Sequence, residues 1–121
     1  MDKTEDLSKD FFYFSNLNND YLLYRNECRR FTKYNYNKLI EDWDGIDYYD
    51  NIDILNNFEL DHNDPNYPTI DHKISVYYGF KNSIDPNIIG SIDNLCITKR
   101  SINSSKRHLL EEEFINYQKP E

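Results

Sequence analysis

The order of short apolar segments in the second half of the chain is the feature that most restricts its fold. Residues 69–74 alternate in polarity and include β-branched side chains, which is typical of a short strand, and residues 95–98 predict a second one. A helix is predicted from about Arg100 to a stop before Pro120, because apolar residues then recur at helical spacing: Leu109, Leu110, Phe114 and Tyr117. The predicted order is therefore strand, long loop, strand, helix.

Local signals also divide the rest of the chain. Residues 1–16 are predicted to be a loose leader, and Asn19 or Asp20 can cap a helix that runs to the stop at Asp44-Gly45. In the long loop, residues 76–80 are expected to form a bend, and Asp85-Pro86 to start a short helical turn that Gly90 ends. The expected organisation is one domain over 1–121: leader 1–16, helical region 17–58 and a C-terminal unit 59–118.

The composition supports one small folded domain. Hydrophobic residues are 38% of the 121 positions and the mean hydropathy is −0.90, so the core must be modest. Aromatic residues reach 16%, which argues against disorder. The chain has no long apolar run and its N-terminus is unlike a secretory signal. We therefore expect no membrane span and a cytoplasmic protein, in the host cytoplasm if it is viral.

The two cysteines, Cys28 and Cys96, lie far apart in the sequence and outside any paired motif. This excludes a structural zinc site built from paired cysteines and disfavours a disulfide framework. We expect two buried, inert thiols.

The net charge of −8 is unfavourable for a protein that binds nucleic acid, but the charges are segregated. Every charged residue from 47 to 71 is acidic, His62 aside. From 72 to 110 the balance is basic, and a second basic run lies nearer the N-terminus: Arg25, Arg29, Arg30, Lys33 and Lys38. The sign of the charge in these two stretches suits a polyanion.

The segment 67–106 resembles the HNH endonucleases. Those enzymes show Asp-His at the end of one strand, Asn opening a second strand, Asn or His nine positions later, and often Lys three positions after that. The matching residues here are Asp71-His72, Asn94, Asn103 and Lys106. The resemblance covers about a third of the chain, and it implies an α+β fold in which the N-terminal helical region packs on a ββα-metal finger (59–118).

The resemblance also implies roles for these residues. His72 would be the general base, with Asn94 bracing the loop and Lys106 reaching the scissile phosphate. Asp71 and Asn103 would supply oxygen ligands to one Mg²⁺ or Mn²⁺ ion. Because neighbouring strand residues point to opposite faces, convergence of Asp71 and His72 would need local irregularity. Contacts to DNA are expected from Lys73, Lys99, Arg100 and Arg107.

The expected function is divalent-metal-dependent hydrolysis of DNA phosphodiesters, as nickase or double-strand endonuclease, with a separate targeting partner or a homodimer. Two alternatives stay open. One is a non-catalytic acidic accessory protein, for example viral, that keeps the finger as a scaffold; the acidic stretch 47–64 favours it. The other is an RNase that uses the same site. His62, in an acidic loop, is a weaker metal-ligand candidate.

Overall fold

The computed structural model describes residues 7–106, 109, 110 and 113, and side chains of the first helix from residue 19 onward. Helix α1 spans Leu7–Asp42. The prediction of a loose leader was wrong for residues 7–16, because this stretch contains neither Gly nor Pro and its single asparagine, Asn16, does not interrupt the helix. The predicted stop was confirmed: α1 ends at Asp42, and Gly45 follows in a left-handed conformation with φ +86°.

The chain between α1 and the sheet is mostly irregular. An isolated antiparallel bridge joins Ile46 to Asp53, and a 3-10 helix covers Leu55–Glu59. The region predicted as helical to residue 58 is therefore helical only to Asp42 and again in this short turn.

The two predicted strands are present, and they pair in an antiparallel sheet. Strand β1 spans Pro68–His72 and β2 spans Leu95–Lys99. The register pairs Asp71 with Cys96 and His72 with Leu95. The predicted continuation of β1 to residue 74 was wrong, because Ile74 bonds through its backbone to the Asn94 side chain instead of to β2.

Three short helices complete the described fold. Between the strands, α2 spans Val76–Lys81 where a bend was expected, because Ser75 caps its first turn by accepting a bond from the Tyr78 amide. Helix α3, Pro86–Ile89, confirms the predicted turn that begins at Asp85-Pro86 and ends at Gly90. Helix α4, Arg100–Lys106, confirms the predicted start at Arg100; its expected continuation to Tyr117 falls largely outside the described residues.

Helix α1 packs directly against the segment between the strands. Gly90 permits this approach, because a Cβ atom there would lie 2.6 Å from the Phe31 Cβ and 2.8 Å from the Cys28 carbonyl oxygen. The Asn35 amide also donates to the Gly90 carbonyl over 2.8 Å. The element order and contacts give an α+β fold in which one long helix lies against the sheet and its connecting helices.

The buried core is small. Its apolar members come from α1, the irregular segment, α3 and β2: Cys28, Ile54, Ile89, Leu95, Cys96 and Ile97. Aromatic side chains extend it by edge-to-face contacts, as between Tyr21 and Phe80 and between Trp43 and Phe58. Both cysteines are free and buried as expected, and burial raises the pKa of Cys28 to about 11 and of Cys96 to about 12.

Candidate functional site

Asp71 and His72 end strand β1 and lie on opposite sides of it. The ladder stays regular through His72, so their side chains alternate. Asp71 contacts Tyr49 and Lys106, whereas His72 contacts Thr32 of α1. The convergence that the family resemblance implied, through a local irregularity, is therefore not present.

The His72 ring is oriented by α1. Its Nε2 lies 2.9 Å from the Thr32 hydroxyl oxygen, and that hydroxyl donates its own proton to the Cys28 carbonyl over 2.8 Å. With the hydroxyl proton directed at the Cys28 carbonyl, the hydroxyl oxygen is placed to accept a hydrogen from Nε2, and this contact favours the Nε2-protonated tautomer. The other ring nitrogen, Nδ1, is then unprotonated and able to accept a proton.

His72 is held in its neutral form. Burial, and secondarily the positive charge of Lys106, lowers its pKa from 6.5 to about 4. A neutral imidazole with a fixed tautomer is the state that a general base requires near pH 7.

The carboxylate of Asp71 is buried and already paired. Its Oδ2 accepts a hydrogen bond from the Tyr49 hydroxyl over 2.7 Å and lies 3.4 Å from Lys106 Nζ. Burial raises the Asp71 pKa above its ordinary value, while Lys106 and Tyr49 act in the opposite direction. The same burial, with Asp71 nearby, raises the pKa of Tyr49, so its hydroxyl stays a donor.

Helix α4 attaches to the carbonyl groups of β1 through two side chains. The Asn103 amide nitrogen donates to the Ile70 carbonyl and to the Thr69 hydroxyl, each over 3.1 Å. Lys106 Nζ donates to the His72 carbonyl over 2.9 Å, and this side chain has no exposed surface. In this arrangement Lys106 is held inside the protein and does not extend toward a bound phosphate.

Asn94 takes the bracing role that the resemblance implied. Its Oδ1 accepts from the Ile74 amide over 2.8 Å, and its Nδ2 donates to the carbonyls of Ile74 and Ile89. One buried side chain therefore fixes the chain that leaves β1 immediately after His72.

The cations predicted to contact DNA have other partners. Lys73 Nζ lies 4.7 Å from the centre of the Tyr48 ring, Lys99 forms an ion pair with Asp50, and the Arg100 guanidinium donates to the His62 carbonyl. Arg107 lies outside the described residues. His62 itself is exposed, and its imidazole lies 4.0 Å from Asp61.

A different set of cations lies beside His72. A pocket of about 700 Å³ forms between α1 and β1. Its walls include the α1 residues Arg29, Arg30 and Lys33, and its β1 side is formed by Ile70 and His72. The fold thus brings three of the five cations of the N-terminal basic run to the pocket of the general-base candidate.

Three residues of this region escaped the sequence interpretation. Thr32 orients His72 from 40 positions away, and Tyr49 bonds Asp71 from 22 positions away. Asp47 was counted in an acidic surface stretch but is buried, and it accepts bonds from the Thr98 hydroxyl and the Lys99 amide. The Asp47-Tyr48-Tyr49 sequence carries no recognisable signal for these contacts, since their partners are set by packing.

The donor atoms do not fit a resident divalent ion in this arrangement. Asp71 has a phenol and an ammonium as partners, and a second cation there would be repelled by Lys106. Within the part of the chain that the structure describes, no group of three or more His, Cys, Asp or Glu side chains could hold a metal. The predicted need for Mg²⁺ or Mn²⁺ stays a prediction, and no step below passes through a metal.

The chain matches no protein-family model, no curated protein and no solved structure. The helices of the described residues include none that is both long and apolar enough to cross a membrane.

Proposed function

We propose that β1, β2 and α4 form a finger of the HNH type and that the protein hydrolyses phosphodiester bonds in DNA. The observation that carries this proposal is the setting of His72: it is the last residue of β1, its ring is oriented by Thr32, and it faces a pocket lined by cations. The order strand, loop, strand, helix and the Asn94 brace agree with it.

In the proposed reaction His72 Nδ1 accepts a proton from a water molecule, and the water oxygen forms a bond to phosphorus. The bond from phosphorus to the leaving oxygen breaks, and that oxygen takes a proton from solvent. Nε2 keeps its hydrogen bond to Thr32 throughout, so the ring need not reorient. The low pKa means that His72 is ready to accept a proton across the neutral range, although its basicity is reduced.

Nicking of supercoiled plasmid tests the proposal. We expect wild-type protein to nick DNA. The nicking rate of His72→Ala should be lower by a factor of at least about a hundred, which is the usual scale for a lost general base. His62→Ala is the matched control, because it removes an exposed histidine that does not line the pocket beside His72. Equal nicking by wild type and a folded His72→Ala protein would remove His72 from the reaction. Parallel assays on RNA test the RNase alternative, and assays with Mg²⁺, Mn²⁺ or chelator test the metal requirement.

A second candidate is a non-catalytic binding protein on the same scaffold. The Asp71–Lys106 contact favours it, because the carboxylate that would hold a metal is neutralised by the protein itself. This candidate predicts nucleic-acid binding without nicking under any of these metal conditions.

A further inference from the structure

Two of the cations on the α1 side of the pocket beside His72 have no ion-pair partner among the described residues. Arg29 and Lys33 are exposed, and the described residues include no salt bridge or hydrogen bond to either side chain. Arg30, by contrast, pairs with Glu27 over 2.9 Å and lies over the Phe31 ring. Two positive charges are therefore left for a ligand, in a protein whose net charge is −8.

The spacing of these cations fits a chain of phosphates. Residues four apart lie on one helix face, separated by about 6 Å along the axis. Arg29 and Lys33 thus form a short row along the pocket, and Tyr36 follows on the same side as a further lining residue. An aromatic ring next to a cationic row is the usual combination for single-stranded nucleic acid, because bases stack on the ring while cations follow the backbone.

The pocket volume favours one strand over a duplex. At about 700 Å³ the pocket has the size of a small-molecule site. It lies between a helix and a strand, with His72 and Ile70 on its β1 side, so the space beside His72 suits a group of small-molecule size. One phosphodiester group of a single strand can occupy this pocket while the neighbouring phosphates of the strand lie outside it.

We infer that Arg29 and Lys33, with Tyr36, bind the sugar-phosphate backbone of a single DNA strand and position one phosphodiester at His72. This inference rests on the proposed function for the reaction at His72, but the binding surface itself is defined by α1. It replaces the surface predicted from the sequence, whose cations Lys73, Lys99 and Arg100 have partners within the protein.

Fluorescence anisotropy with a labelled single-stranded DNA oligonucleotide, in chelator so that binding is measured apart from cleavage, tests this assignment. The measured quantity is the slope of log affinity against log salt concentration. We expect Arg29→Gln/Lys33→Gln to make this slope less steep by about 1.4, because each phosphate contact in a single strand adds about 0.7 to it. At 0.1 M salt this corresponds to a loss of roughly 20-fold in affinity. Tyr36→Leu should weaken binding with the slope unchanged.

The control variant is Lys73→Gln/Lys81→Gln, which removes the same charge from positions that do not line this pocket. We expect its slope to match that of wild type. Three results would each overturn the assignment. They are equal losses of affinity in both double variants, no measurable binding by wild type at low salt, and tighter binding of a duplex of the same sequence. Cleavage is measured separately, on the same single-stranded oligonucleotide and on plasmid. Binding that depends on Arg29 and Lys33 without cleavage of either substrate would refute the proposed hydrolysis and leave the strand-binding surface intact.

Discussion

Lys106 Nζ lies 3.4 Å from Asp71 Oδ2, and both groups are almost completely removed from solvent. The lysine comes from the last turn of α4 and the aspartate from the next-to-last position of β1. The same ammonium donates to the His72 carbonyl. This pair therefore couples the position of α4 to the strand end that carries His72.

We expect removal of either partner alone to be strongly destabilising. Lys106→Met leaves a buried carboxylate without its counter-charge, which costs about 3–5 kcal/mol in comparable pairs. The double variant Lys106→Met/Asp71→Asn should recover part of this loss, because the charge that needed compensation is gone. Urea unfolding of the two single variants and the double variant gives the coupling energy; additive losses would show that the pair contributes no specific interaction.

The pKa of His72 predicts a pH dependence of stability. Its folded value of about 4 lies below the ordinary 6.5, so between these pH values the unfolded chain binds more protons. The free energy of unfolding should rise by roughly 2–3 kcal/mol as pH increases through this window, and the gain should be complete above about 6.5.

The effect is isolated by subtracting the pH profile of the free energy of unfolding of His72→Gln from that of wild type. Asp71 has a raised pKa that acts in the opposite direction, but it is present in both proteins and so cancels. His62→Gln serves as the exposed control. Chemical unfolding measured from pH 4 to 8 should show a wild-type profile that His62→Gln shares and His72→Gln lacks. A slope that survives in His72→Gln would assign the titration to another group.

Thr32 is expected to act as a positioning residue for His72. Thr32→Val keeps the shape of the side chain but removes the acceptor for the Nε2 hydrogen, whereas Thr32→Ser keeps the hydroxyl. Nitrogen chemical shifts of the His72 ring should report the Nε2-protonated tautomer in wild type and Thr32→Ser, and a mixture in Thr32→Val. The nicking rate should fall with the tautomer population. A pure Nε2-protonated signal in Thr32→Val would show that Thr32 does not select the tautomer.

The parts of the fold that could be predicted from sequence are those with local causes. Asp85-Pro86 and Gly90 bound α3 because proline and a side-chain cap favour a helix start. The second strand and the start of α4 follow from their own residues. The start of α1 was misjudged because Asn19 and Asp20 suggested a cap, although residues of this kind only weaken a helix that continues through them.

The surroundings of the site could be predicted only in part. The spacing of Asn103 and Lys106 correctly put both side chains on one face of α4. It could not show that this face lies against β1. Lys106 is buried because Asp71 and the His72 carbonyl receive it there. The pocket cations were missed for a similar reason: Arg29 and Lys33 reach His72 only through the packing of α1 on β1.

Divalent-ion binding should be weak in the wild-type protein. A cation approaching Asp71 meets Lys106 first, so we expect Mn²⁺ affinity in the high micromolar range or weaker, as for sites with few protein oxygens. Lys106→Met removes the competing ammonium and should strengthen Mn²⁺ binding, whereas Lys73→Met should not. Electron paramagnetic resonance of free Mn²⁺ measures both. Tight binding by wild type would show that the Asp71–Lys106 pair opens to admit the ion.

The Asn94 brace provides the sharpest test of how the strand end is held. Asn94→Ala removes three hydrogen bonds at a buried position and should cost about 2–4 kcal/mol, since each contributes about 1 kcal/mol and their backbone partners are left without them. Asn94→Asp keeps the size and the acceptor for the Ile74 amide but turns the donor into an oxygen that faces the carbonyls of Ile74 and Ile89. We therefore expect the aspartate variant to be less stable than the alanine variant at pH 7. Its stability should improve relative to Asn94→Ala as pH falls and the new carboxyl takes up a proton, because the protonated group can again donate one bond. Urea unfolding at pH 5 and pH 7 measures this difference, and an aspartate variant as stable as wild type at pH 7 would mean that the amide's donor bonds do not hold this loop.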